Sequence, residues 1–288
     1  MTSYEYRRSL KSSLSDELIN TYLLRPVAGL IVSLLYRTSV TPNQVTIAST
    51  IAGIVAAVIY LNDTAVATAA AGLMVTVKDV LDSADGQLAR AKGQYTRIGR
   101  FLDSIGDFVV DLAIFGAIGW TLFRTSGDLW MIVLAACGLL GITLRVSYHV
   151  FYQTSFLHLE GRYVSNRVNE DITQDDLHGE PLALFLQRIF LFIYGWQDRL
   201  MLRLDTWCRG KRSEREFLSG WYSDPVALRL SGLIGIGTEL FLLMVCSLFN
   251  ELHLYLVLNV LLMNGILFFS ILYRRFVLFP SLVPKGQP

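Results

Sequence analysis

Residues 78–111 read KDVLDSADGQLARAKGQYTRIGRFLDSIGDFVVD, and the fold is decided by how this stretch is read. Asp82 and Asp85 are three positions apart, and Asp103 and Asp107 are four apart. On a helix each spacing puts both carboxylates on one face, a turn apart. Gly86 follows Asp82 by four and Ala89 follows Asp85 by four, so small residues share that face and leave a notch for a ligand or a neighbouring backbone. Arg90, eight after Asp82, falls near the same face and suits a phosphate. Gly99, four before Asp103, cuts a second notch in the other helix. Brought together, the two faces gather the four carboxylates Asp82, Asp85, Asp103 and Asp107, a concentration of negative charge that needs cations. Hard divalent ions with oxygen ligands, Mg²⁺ or Mn²⁺, are the natural occupants, and two of them in one cage clamp a phosphate group.

The flanks are apolar. Of 288 residues 53% are hydrophobic and 17% charged, against about 25% charged in soluble domains, and apolar runs long enough to cross a bilayer recur. Ionisable residues in such surroundings are costly and mark function. An ion path is disfavoured because the acidic residues gather at one depth, and a non-catalytic scaffold because the acidic set is intact. Cys137, Cys208 and Cys246 have no metal or redox spacing, and the histidines form no ligand pair. The net charge of +1 gives no reason to expect a nucleic-acid partner.

The chain reads as an all-α integral membrane protein with six transmembrane helices. Residues 1–40 form an N-terminal interfacial segment: Ser15-Asp16-Glu17 start a helix that Pro26 interrupts, and the run after Pro26 is too short to cross. Residues 41–152 hold helices 1–4, the catalytic core. Thr41-Pro42 begin the first. The second runs from about 64 to 92 and ends at Gly93, with its carboxylates late. The third starts near Thr96, with its carboxylates early. An antiparallel pair joined by a short basic loop puts all four acids at one depth. Asp111 extends the stripe by a turn and stays outside the core set. Residues 153–224 are a charged insertion between helices 4 and 5, whose segment PLALFLQRIFLFIYGWQDRLMLRLDTW is amphipathic at helical period. Residues 225–275 give helices 5 and 6, and 276–288 a tail. With the N-terminus inside, nearly all Lys and Arg fall in the inside segments and only Arg124 in the outside turns. That bias puts the carboxylates on the cytoplasmic side of a cell membrane.

The pattern Asp82-x-x-Asp85-Gly86-x-x-Ala89-Arg90, eight residues, Gly99-x-x-x-Asp103-x-x-x-Asp107 resembles the signature of the CDP-alcohol phosphotransferase (phosphatidyltransferase) family. All eight of its defining positions are matched. Upstream, Thr41-Pro42-Asn43-Gln44-Val45-Thr46 is similar to the start of the family's first membrane helix. The leader DELINTYLLRP is similar to those of an inositol-linked branch.

The resemblance implies transfer of a phosphate-linked group, phosphatidyl in type, from a CDP-alcohol to a hydroxyl acceptor, with release of CMP, in phospholipid biosynthesis. A CDP-polyol-dependent synthase of a soluble phosphodiester is the alternative. It implies a homodimer in the lipid bilayer. Asp82, Asp85, Asp103 and Asp107 would hold the two cations, with Asp107 acting as base for the acceptor, as metal ligand, or as both. Asn43, Gly86, Ala89, Arg90 and Gly99 would meet the nucleotide and its phosphates, Asn43 having a capping or packing role as the equal alternative. Lys78 and Arg145 are expected on the acceptor side.

Overall fold

The computed structural model describes residues 17–161 and 170–283, and among these every regular element is helical. A wide π turn, Asn20–Leu24, leads into α1 (Arg25–Leu35). The expected interruption at Pro26 is absent. The proline sits in the first turn of α1, where its missing N–H costs little. Ala28 and Val32 of α1 are buried with Val45, Ala84 and Leu88. Of the expected N-cap run, Ser15 and Asp16 lie outside the described residues. Glu17 serves another helix, accepting a hydrogen bond from the Thr238 N–H at 3.1 Å.

Four long helices follow: α2 (Pro42–Tyr60), α3 (Ala65–Lys92), α4 (Arg97–Ser126) and α5 (Trp130–Leu159). Their ends are written in the sequence. Thr41 and Gln44 form a reciprocal capping box at the start of α2, with Thr41 N–H donating to Gln44 at 2.9 Å. Thr64 and Thr96 cap α3 and α4, and Gly93 and Gly127, at φ of 64° and 72°, end them in the left-handed conformation that glycine adopts without strain. Helix α5 runs on to Leu159, past the expected end near Tyr152.

Helix α2 packs against both α3 and α4. Small residues set the α2–α4 approach. A Cβ on Gly106 would lie 2.5 Å from Thr50 Oγ1, and one on Gly53 would overlap Val110. Ala56, Tyr60, Val75, Val110 and Ile118 belong to the main core, which continues into the C-terminal helices through Leu243 and Tyr255.

The insertion is helical too: α6 (Gln174–Leu177), α7 (Pro181–Arg209) and α8 (Arg215–Ser223). Helix α7 lies along α4 and α5. Its aromatic face meets α4 through Phe101–Phe190 and Phe108–Tyr194 ring pairs, 5.3 and 6.3 Å between centroids. Asp205, fully buried, accepts hydrogen bonds from Trp221 Nε1 (2.8 Å), Tyr222 (2.9 Å), Tyr152 (3.2 Å) and Arg209 Nε (2.7 Å), fastening the insertion to α5.

The chain then forms α9 (Pro225–Gly232) and α10 (Ile236–Leu248), followed by α11 (Leu252–Val257), α12 (Asn264–Tyr273) and α13 (Phe279–Leu282), these last three joined by π turns. Gly72 lets α10 press on α3, its Cβ position lying 2.5 Å from Ser247 Cβ. Ser247 and Tyr60 share a hydrogen bond of 2.6 Å. The last segment continues to Leu282, beyond the basic pair Arg274-Arg275.

Four segments are long and apolar enough to cross a membrane: Pro42–Tyr60, Trp130–Leu159, Pro225–Leu248 and Leu252–Leu282. The segment Asn20–Leu35 is apolar but shorter. Helices α3 and α4 have the length, at 28 and 30 residues, but carry the acidic stretch.

Candidate active site

The acidic half-faces of α3 and α4 meet through their side chains. Asp82, Asp85 and Asp103 each present one carboxylate oxygen within 4.8 Å of the other two. Asp85 is buried and receives the hydroxyl of Thr46, whose helix starts at the Thr41 cap a turn earlier. Thr46 therefore holds one acid at a fixed rotamer from a third helix. Three carboxylates at this separation, all hard oxygen donors, fit a divalent cation.

Asp107 stands beside this group, ion-paired with Lys78. Lys78 is buried, also lies 3.6 Å from Asp82, and its carbonyl accepts the Ser49 hydroxyl at 2.9 Å. The lysine expected on the acceptor side thus sits among the carboxylates and offsets part of their charge. Arg145 is displaced further from expectation. It is fully buried, donating to Glu239 at 2.7 Å, Asn264 Oδ1 at 2.7 Å and the Asn259 carbonyl at 3.1 Å. That network satisfies a charge inside the bundle, and Arg145 lines neither of the clefts described below.

Two clefts flank the carboxylates. The first, about 240 Å³, is lined by Asn43, Thr46, Asp85, Gly86, Ala89, Arg90, Gly99 and Asp103, with Arg97 and Arg100 at its α4 side. All five residues expected at the nucleotide and phosphate are here. The two glycines differ. A Cβ on Gly86 would meet only the Arg90 guanidinium at 3.4 Å, so its notch opens to the cleft. At Gly99 the notch is filled, with Asn43 Oδ1 at 2.6 Å and Thr96 Oγ1 at 2.9 Å from the Cβ position, so this glycine seats α4 on α2.

The second cleft, about 330 Å³, shares Arg100 and Asp103 with the first. Asp107, Asp111, Ser104 and Phe108 of α4 line it, with Thr143, Ser147, Val150 and Phe151 of α5, Glu170, and Phe190, Tyr194 and Asp198 of α7. Tyr194 donates its hydroxyl to the Ser104 carbonyl at 2.8 Å. Burial raises the Asp198 carboxyl to about 6, Glu170 adding to the effect and Arg100 opposing it. Sequence reading missed this contribution from α7. Its amphipathic period showed a polar face but not what that face covers.

The rim between the clefts is tied to the insertion. Arg97 pairs with Asp176 and, at 3.4 Å, with Glu170, and Arg100 pairs with Glu170 at 2.5 Å. Gln187 of α7 donates to the Glu170 carbonyl at 3.0 Å and to Asp176 at 3.2 Å.

The CDP-alcohol phosphatidyltransferase family matches residues 39–208, which hold both carboxylate pairs and α7 as far as Cys208. The chain is 30% identical over 141 residues to the "Bifunctional IPC transferase and DIPP synthase" of Thermococcus kodakarensis, covering 49% of this chain and 31% of that protein. It is 32% identical over 126 residues to the "Phosphatidylinositol phosphate synthase" of Corynebacterium glutamicum, covering 44% and 55%. It is 33% identical over 106 residues to the "Archaetidylinositol phosphate synthase" of Pyrococcus horikoshii, covering 34% and 54%. The chain spans between about a third and just over half the length of these relatives. With the carboxylates of α3 and α4 convergent and the match extending over more than half of its residues, the chain belongs to the CDP-alcohol phosphatidyltransferase family.

Proposed function

We propose that this protein transfers a phosphate-linked, phosphatidyl-type group from a CDP-alcohol to a hydroxyl acceptor and releases CMP, as a step of phospholipid synthesis. The observation that carries this is the meeting of Asp82, Asp85 and Asp103 within 4.8 Å, with a cleft on either side that shares Asp103. One cleft suits the cytidine diphosphate and the other the acceptor.

Asp82, Asp85, Asp103 and, at the edge, Asp107 would hold two divalent cations, Mg²⁺ or Mn²⁺. When bound, these ions supply positive charge to the bridging phosphates and to the departing CMP. The chain's own groups do the rest. Arg90 holds a phosphate oxygen at the first cleft, and Gly86 and Ala89 let the nucleotide approach α3. Asn43 fixes α2 against Gly99 at the cleft floor. Asp107 lines the acceptor cleft and takes the proton from the attacking hydroxyl, while Lys78 holds its carboxylate in place.

In this reading α3 and α4 cross the membrane with the four apolar segments, giving six spans. Helices α1 and α7 lie at the interface, and the site faces the cytoplasm of a cell membrane, where the basic segments gather. The protein would work as a homodimer, as the family resemblance implies.

A second reading has a specific observation behind it. The Thermococcus kodakarensis relative is named a bifunctional transferase and synthase, matching the CDP-polyol alternative in which the product is a soluble phosphodiester. One experiment separates the two. Membranes containing the protein are given CDP-diacylglycerol or a CDP-polyol, Mn²⁺ and a panel of alcohols, and CMP and products are followed by mass spectrometry. A lipid product with CDP-diacylglycerol supports the first reading, and a water-soluble phosphodiester the second. No CMP from any pair overturns both.

A further inference from the structure

Helix α7 is amphipathic the wrong way round for water. Its face toward the protein is polar: Gln187, Gln197 and Asp205 are buried, and Tyr194 donates to the Ser104 carbonyl. Its outward face carries Phe185, Phe192, Trp196 and Trp207, all exposed, Phe192 to 86%. Arg188, Arg199 and Arg203 are exposed too and fall on the same stripe, each three or four residues from one of these rings. None of the three makes an ion pair or hydrogen bond with another described residue. The Arg275 guanidinium, 5.3 Å from the centre of the Trp207 ring, adds a fourth cation at one end. The two acids of α7 lie off this stripe, Asp198 at the second cleft and Asp205 in the core.

Contacts fix the depth of this face. Helix α7 touches α4 at Phe101, Ser104 and Phe108, and α5 at Ser147 and Tyr152. Asp103 and Asp107 belong to the same turns of α4, so α7 lies level with the carboxylates. Rings with guanidinium groups among them suit the headgroup layer, where apolar surface is buried and phosphate is at hand. Helix α1 is the contrast: Val27, Leu30 and Leu34 are exposed, and its one basic residue, Arg25, is buried. A second copy of this chain is the poorer occupant of the α7 face, since two such faces would set arginines against arginines with no acid between them. Resting on the interfacial placement of α7 given above, we propose that this face docks on anionic phospholipid headgroups. Arg188, Arg199 and Arg203 take the phosphates while the rings beside them enter the acyl boundary. Anionic lipids gather in the cytoplasmic leaflet, the side to which the carboxylates are assigned.

The test uses the purified 288-residue chain in nanodiscs of phosphatidylcholine and phosphatidylglycerol in equal parts. Photoactivatable analogues of the two lipids, each with a diazirine close to the headgroup, are supplied in turn, and crosslinks are mapped by mass spectrometry. The expected result is labelling of residues 185–207 about fivefold or more stronger with the phosphatidylglycerol probe. In the triple variant Arg188→Gln, Arg199→Gln, Arg203→Gln that preference falls to within about twofold, while residues 27–34 of α1 label alike with both probes in both proteins. The three side chains are exposed, so the variant keeps its helix content, which circular dichroism checks. Equal labelling of residues 185–207 by both probes in the wild type, or an undiminished preference in the variant, overturns the recognition of charge and leaves the interfacial placement standing. Labelling by neither probe shows the face covered by protein and overturns both. The crosslinking needs no turnover, so each outcome is independent of CMP release.

Discussion

The Thr46 hydroxyl donates to the Asp85 carboxylate, so a side chain on α2 orients an acid on α3. A metal ligand held this way keeps its oxygens aimed without help from the ion. Replacing Thr46 by Val keeps the shape and removes the donor. We expect apparent Mn²⁺ affinity to fall about 10–100-fold. Helix content stays unchanged. Titration of CMP release against Mn²⁺, with circular dichroism in parallel, checks this.

Lys78 offers a second handle. It is buried between Asp82 and Asp107 and belongs to their charge balance. Lys78→Met leaves the acids uncompensated and should destabilise the protein by about 3–5 kcal/mol. Adding Asp107→Asn removes one of those charges, so the double variant should lose less than the sum of the single losses. Thermal unfolding in detergent across the four-member cycle measures the coupling, and strict additivity would contradict it.

The glycines at the site separate packing from binding. Gly106→Ala drives a methyl into Thr50, whose Oγ1 is 2.5 Å from the Cβ position, and should cost about 1–3 kcal/mol. Gly86→Ala meets only the end of Arg90, so unfolding should be unchanged or later by up to about 1 kcal/mol, since Ala is the better helix former. Its effect should appear in a raised KM for the CDP-alcohol. A normal donor KM in Gly86→Ala would remove that residue from the nucleotide cleft.

The first cap and the end of α3 were legible because they are local: Thr41 sits where a periodic run begins, and Gly93 where one ends. The convergence of Asp82, Asp85 and Asp103 was legible because helical periodicity and a short connection leave little choice of face. What escaped the sequence depends on long-range contacts. Arg145 reads as a functional cation until Glu239, far along the chain, is seen beside it. The pairing of Lys78 with Asp107 shows only once α4 is placed beside α3. Gly99 lines the first cleft as expected, but the close approach of Asn43 to it depends on where α2 lies. Pro26 reads as a break, yet the preceding π turn delivers it to the first turn of α1, where proline is tolerated. Asp198 and Tyr194 lie on a helix whose amphipathic pattern is also that of a plain surface helix.

Salt should act on the rim. Arg97 and Arg100 are partly exposed, and their pairs with Glu170 and Asp176 hold the insertion against α4. Arg97→Gln with Arg100→Gln should raise hydrogen exchange across α6, residues Gln174–Leu177, while the exchange of α2 stays as in the wild type. Equal protection of α6 in both proteins would show that the two arginines do not secure it.

The account rests on Asp82, Asp85 and Asp103 sharing one ion. Mn²⁺ binding followed by electron paramagnetic resonance, on the protein in nanodiscs with CDP-diacylglycerol present, tests that most directly. Wild type should bind Mn²⁺ with a perturbed spectrum, and Asp82→Asn, Asp85→Asn and Asp103→Asn should each weaken binding at least about tenfold and stop CMP release. Unaltered Mn²⁺ binding in all three variants, or CMP release that persists in excess chelator, would contradict it.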